Sequence, residues 1–162
     1  MHTANQAGQT PLWVAASDGQ AGIVRILVAI GGIDLDCCDN SSETPLFAAS
    51  RNGHADVIRI LGHCPIVDVN SKGTDGLIPL AIAAKNGHSG AVSALLELTR
   101  LDANAEDIAG ATALWHAIEN GHDEVVRILV KAGGVSVRPY KQSVVCKNCA
   151  GRVCPPRFST PY

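Results

Sequence analysis

The chain has 162 residues, about one domain by length, and is 46% hydrophobic and 17% charged. That is enough apolar material for a packed core and argues against disorder over most of the chain. Thirteen Lys and Arg stand against fifteen Asp and Glu, a net charge of −2. The balance is uneven: residues 138–162 hold five basic and no acidic residues, leaving residues 1–137 with eight basic against fifteen acidic. An acidic body repels nucleic-acid backbones, so nucleic acid is not an expected partner. No apolar run reaches the roughly 18 residues of a membrane helix, and Met1 to Gln6 lack the basic and apolar regions of a signal peptide. A soluble, intracellular, cytoplasmic protein is expected, with the nucleus left open and no membrane partner.

One interval runs along the chain. Leu12, Leu46, Leu80 and Leu114 are 34 residues apart, and the same spacing relates Ala15, Ala49, Ala83 and Ala117. Gly19, Gly53, Gly87 and Gly121 keep it too, as do Leu27, Leu61, Leu95 and Leu129. Four ladders in one register predict four copies of one unit.

In the first unit, Thr10-Pro11 supplies an N-cap hydroxyl and a proline at the first helical position, where its missing N–H is no loss. Its second helix carries Ile23, Val24, Ile26, Leu27, Val28 and Ile30 and stops at Gly31. The second unit repeats the start at Thr44-Pro45, runs a helix through Leu46 to Arg51, and turns at Gly53, where a left-handed residue is cheap only without a side chain. Val57, Ile58, Ile60 and Leu61 form the apolar stripe of its second helix. The chain leaves through Asp68-Val69-Asn70 into a polar turn at Gly73–Gly76. In the third unit Ile78 replaces the capping Thr, so the first helix there is expected to fray, since a lost cap costs about 1 kcal/mol. The fourth has Ala113 in place of Pro and a second helix on Val125, Val126, Ile128, Leu129 and Val130.

Two short helices cannot bury their own apolar face, so the copies are expected to stack into an all-α solenoid joined by turned fingers. Thr44-Pro45-Leu46-Phe47-Ala48-Ala49, Gly53-His54, Val57-Ile58 and Ile60-Leu61 together resemble the ankyrin repeat. Thr10-Pro11-Leu12, Ala15-Ala16, Gly87-His88 and Gly121-His122 are similar to the same pattern. The usual period is about 33; here it is 34, with one extra residue expected after the second helix, around Gly31 to Asp36. Trp13, Phe47 and Trp115 stand where the family often carries His, and Pro65 and Thr99 stand at the helix-stop position of Gly31 and Gly133. The expected domain is 4–137, in repeats of about 4–36, 37–70, 71–104 and 105–137, followed by a disordered basic tail, 138–162.

Catalysis is not expected, and no cofactor. There is no Gly-x-Ser-x-Gly, no phosphate-binding loop and no His-Glu-x-x-His. His54, His88 and His122 occur once per unit; stacked helices lie about 8–10 Å apart, too far for equivalent residues to share one zinc. They are expected to hydrogen-bond backbone, and His63 and His116 to be ordinary surface or half-buried residues. In the tail, Cys146, Cys149 and Cys154 have zinc-like spacing but lack a fourth ligand after Glu124, so zinc-dependent assembly stays only an alternative. Cys37, Cys38 and Cys64 do not read as a disulfide framework.

With the helices committed to stability, specificity falls to residues that the repeat register leaves unconstrained, on the fingers and first-helix ends lining the concave face. These are Gln9, Ser17 and Asp18, then Asn40, Ser41, Glu43, Arg51 and Asn52. The third and fourth units add Lys72, Thr74, Asp75, Leu77, Lys85 and Asn86, then Glu106, Ile108, Glu119 and Asn120. The resemblance implies a scaffold surface for another protein. Reversing charge at Arg51 and Lys85 is expected to weaken binding without unfolding the array. A regulatory array within a larger signalling or enzyme chain is the alternative. Neither end looks like a polar cap, which suggests a piece, or a sibling, of a longer array.

Overall fold

The structure, a computed structural model, describes residues 4–133. The expected tail, 138–162, with Cys146, Cys149 and Cys154, lies outside the described residues. Those described form eight α-helices and no strand: α1 (Pro11–Ser17), α2 (Ala21–Ile30), α3 (Pro45–Asn52), α4 (Ala55–Gly62), α5 (Pro79–Lys85), α6 (Ser89–Leu96), α7 (Ala113–Glu119) and α8 (Asp123–Lys131). Each odd-numbered helix packs on the even one that follows it. The odd helices also stack in order on one another, and so do the even ones. The result is a two-layered all-α repeat solenoid.

Local sequence explains each helix start. Thr10, Thr44 and Thr112 hold extended backbone, and their hydroxyls accept from the backbone N–H of Trp13, Phe47 and Trp115 at 3.2, 3.2 and 3.4 Å. Ile78 makes no such bond, yet α5 is as long as α1 and α7, so the expected fraying is not seen. The reason is burial. Ile78 is only 2% exposed, and Pro79 presets the first helical turn.

The ladders form the core. Leu12, Leu46, Leu80 and Leu114, with Ala15, Ala49, Ala83 and Ala117, are at most 3% exposed. Leu61, Leu95 and Leu129 are fully buried, whereas Leu27 in the first repeat is only partly covered. Small residues on the odd helices allow neighbours to approach closely.

The second helices do not all stop in the same place. α2 runs to Ile30, beside Gly31 and Gly32, both with left-handed φ, but α4 and α6 stop earlier, at Gly62 and Leu96. Arg100 from the third repeat covers the open end of α4. Its guanidinium donates to the carbonyls of Gly62, Cys64, Pro65 and Val67 at 2.9–3.1 Å.

Candidate binding surface

The fingers are shaped by short polar side chains acting on their own backbone. Oδ1 of Asn5 accepts from the N–H groups of Ala7 and Gln9; Asp39 does the same for Ser41 and Glu43, and Asp107 for Ala109 and Ala111. The third finger has Gly73 at that position, where an added Cβ would sit 3.1 Å from the Phe47 ring. At the other end of each repeat a second ladder forms. Asp34, Asp68 and Asp102 each accept from the N–H two residues on, while Asp36 and Asn70 accept from the backbone of the next repeat, at Asp68 and Asp102.

Adjacent repeats are tied at the turn between their helices. The Nε2–H groups of His54, His88 and His122 donate to the carbonyls of Ser17, Arg51 and Lys85, each 2.9 Å away in the preceding repeat. These rings lie against Gly19, Gly53 and Gly87, where an added Cβ would come within 2.8 Å of Nδ1. Glycine is therefore required at these turns for space as well as for its positive φ. The turn histidines are structural donors. Among the described residues, no group of three or more His, Cys, Asp or Glu is placed to hold a metal ion.

Many of the residues expected on the concave face are engaged in such ties. Asn52 and Asn86 donate to the carbonyls of Ser17 and Arg51 at 2.8 and 2.9 Å, and Asn120 turns back to His116 O at 2.8 Å. Asn40 donates to Gln6 O at 3.1 Å, Lys72 to Glu106 O at 3.0 Å, and Gln9 accepts from Asn5 at 2.9 Å. Arg51 pairs with Glu43 at 2.7 Å. Burial pushes the Glu43 carboxyl upward, Arg51 opposes this, and Asp39 and Asp75 add to the rise. Charge reversal at Arg51 would therefore break a scaffold ion pair, so that variant does not isolate binding. Leu77, expected on the surface, is 3% exposed and belongs to the core, because the finger folds it beneath the Gly73–Leu77 backbone bond.

A smaller set projects outward. Asp18, Ser41, Thr74, Asp75, Lys85, Ile108 and Glu119 are exposed and not used in the side-chain bonding of the scaffold; Glu106 is half-buried. Ile108, at 81% exposed, is the most open large apolar side chain among the described residues.

His116, like Leu77, is more buried than the sequence suggested. It is 8% exposed rather than half-buried, and its Nε2 meets Asp107 Oδ2 at 2.9 Å. Burial alone would raise the Asp107 carboxyl, but the N–H groups of Ala111 and Ala109 and the His116 ring outweigh it and hold Asp107 below its ordinary value. Nδ1 of His116 is buried without a partner. Through these bonds the pair ties the fourth finger to α7. The nine-residue spacing offered no signal, since no other repeat has a carboxylate and a histidine at these two places.

Stacked helix pairs joined by turned fingers define an all-α helical-repeat solenoid. The family model for ankyrin repeats, described as three copies, matches residues 1–72 and 65–139, and the chain belongs to the ankyrin repeat family. The described residues hold four helix pairs, one more than that description. Ankyrin repeats are generally protein–protein interaction modules without catalysis of their own. No match was found among curated proteins. No helix among the described residues is long and apolar enough to cross a membrane.

Proposed function

We propose that this chain is a non-enzymatic scaffold that binds a protein partner through Asp18, Ser41, Thr74, Asp75, Lys85, Ile108 and Glu119. One observation carries the reading. Around these seven side chains the neighbouring polar groups are bonded across repeats, so the row is held on a rigid frame while its own groups stay open to solvent. A preorganised row loses little conformational entropy on binding. Ile108 is suited to be an apolar anchor beside Asp75, whose backbone carbonyl its N–H meets at 3.5 Å. The reading includes a cytoplasmic site of action, in keeping with the free thiols of Cys37, Cys38 and Cys64.

The test is quantitative capture from cell extract with the wild-type chain and with a variant carrying Asp75→Lys, Lys85→Glu and Ile108→Asp. Partners specific to the row should be lost from the variant, whose melting temperature should stay within a few degrees of wild type. If the same proteins are captured equally by both, this row is not the binding surface.

A further inference from the structure

Repeat 1 leaves uncovered the side chains that every later repeat buries. Val57, Ala91 and Val125, near the starts of α4, α6 and α8, are at most 1% exposed, whereas Ile23 at the same place in α2 is 48% exposed. Along α2 the stripe continues through Ile26 and Ile30, 63% and 68% exposed. The partner helix repeats the pattern. Ala48, Ile82 and His116 are buried, while their counterpart Val14 in α1 is 39% exposed; Pro45, Pro79 and Ala113 are buried, while Pro11 is exposed.

This edge is also poor in charge. Arg25 is the single charged residue in α1 and α2. Its counterpart Arg59 points forward, pairing with Glu97 of the next repeat at 3.2 Å. Where α4 and α8 carry Asp56 and Glu124, α2 has Gly22; where the later repeats carry His63, Glu97 and Lys131, it has Ala29. At the opposite end of the described residues apolar side chains are exposed as well. Ile118 is 45% exposed although Ala16, Ser50 and Ala84 at the same place are fully buried by the repeat that follows, and Val130 is 58% exposed.

We propose that two copies of this chain join end to end, the first helix pair of one stacking on the fourth pair of the other. The occupant follows from the three internal junctions, which already place one such face on the other, and each chain carries both halves. One of the two cross-repeat hydrogen bonds of this turn continues; the other does not, because Asp18 stands where Asn52 and Asn86 donate. Gln20 holds the place of the turn histidines and has an amide N–H₂ to donate, and the Glu119 carbonyl holds the place of the Ser17, Arg51 and Lys85 acceptors. Because the two faces differ, each addition leaves the same pair of faces open, and association is linear. Asp18 and Glu119 fall at the joint, and the rest of the row stays free along the joined array.

The test is light scattering and sedimentation of the full chain over a range of concentration. The mean mass should climb above the 16.8 kDa of one chain and keep rising. Ile26→Glu and Ile118→Glu, each blocking one end, should separately give monomers. Mixed in equal amounts they should form dimers and nothing larger, because one open face remains on each. Circular dichroism checks folding, and Ile30→Glu or Val130→Glu replaces a variant that fails it. A wild-type chain that stays monomeric throughout overturns the proposal. So does a mixture that remains monomeric, or an Ile118→Glu variant that associates as well as wild type.

Discussion

His88 donates through Nε2 to the carbonyl of Arg51, 2.9 Å away, and the same ring fills the space that a side chain on Gly53 would need. One contact thus joins two repeats and dictates the residue at the turn between them. The relationship recurs for His54 with Gly19 and for His122 with Gly87, but no atom lies within 4 Å of a Cβ placed on Gly121.

That contrast separates the backbone term from the packing term. Gly53 and Gly121 share a left-handed φ, 83° and 72°. Gly121→Ala should cost about 1 kcal/mol, the penalty for alanine at positive φ. Gly53→Ala should cost about 2–3 kcal/mol more, because the His88 ring must move and its bond to Arg51 weaken. Urea unfolding followed by circular dichroism reads both; equal losses would mean that the histidine contact carries no stability.

Asp36 is less well satisfied than its counterpart one repeat later. Asn70 uses both amide atoms, accepting from Asp102 N and donating to Arg100 O, each at 2.8 Å. Asp36 accepts from Asp68 N at 2.9 Å, but its Oδ1 is buried without a partner. Burial raises its carboxyl; the Asp68 N–H lowers it, and the charges of Asp68 and Asp34 raise it further. A raised folded-state value means that the native state binds the proton more tightly than the unfolded chain does. The contribution is full below the unfolded value of about 3.9 and is lost as pH rises through the folded one. Asp36→Asn should therefore stabilise by about 1 kcal/mol at neutral pH, with the gain shrinking in acid. Thermal melts across that range check it.

Asp107 has the opposite sign. Its folded-state value is lowered, so its contribution is present above the unfolded value and is lost as pH falls through the folded one. Asp107→Ala removes the acceptor of the Ala109 and Ala111 N–H groups and leaves both ring nitrogens of His116 buried without partners. A loss of about 2–3 kcal/mol at neutral pH is expected, diminishing in acid. A variant as stable as wild type at pH 7 would show that the pair contributes nothing.

Arg100 closes the early end of α4 on four carbonyls, a task that suits a planar guanidinium with five donors and not a lysine. Arg100→Lys should lose about 1–2 kcal/mol. Hydrogen exchange should show faster opening confined to the amides of His63, Cys64 and Val67, which sit on that end. Uniform loss of protection along the chain would contradict the local role.

The amino-acid sequence alone established the number of units, the helix starts at Thr10, Thr44 and Thr112, the turns and the core ladders. Each of these is set by residues within a few positions of one another and is then multiplied by the repeat. The cross-repeat partnerships needed three-dimensional contact to be seen. Nothing local announces that Asn52 serves Ser17, that Arg100 caps α4, that Leu77 turns inward or that His116 finds Asp107. For the same reason fewer of the expected surface residues are free of scaffold bonds than register alone implied: a polar side chain at an unconstrained position looks free until the neighbouring repeat presents it with a carbonyl.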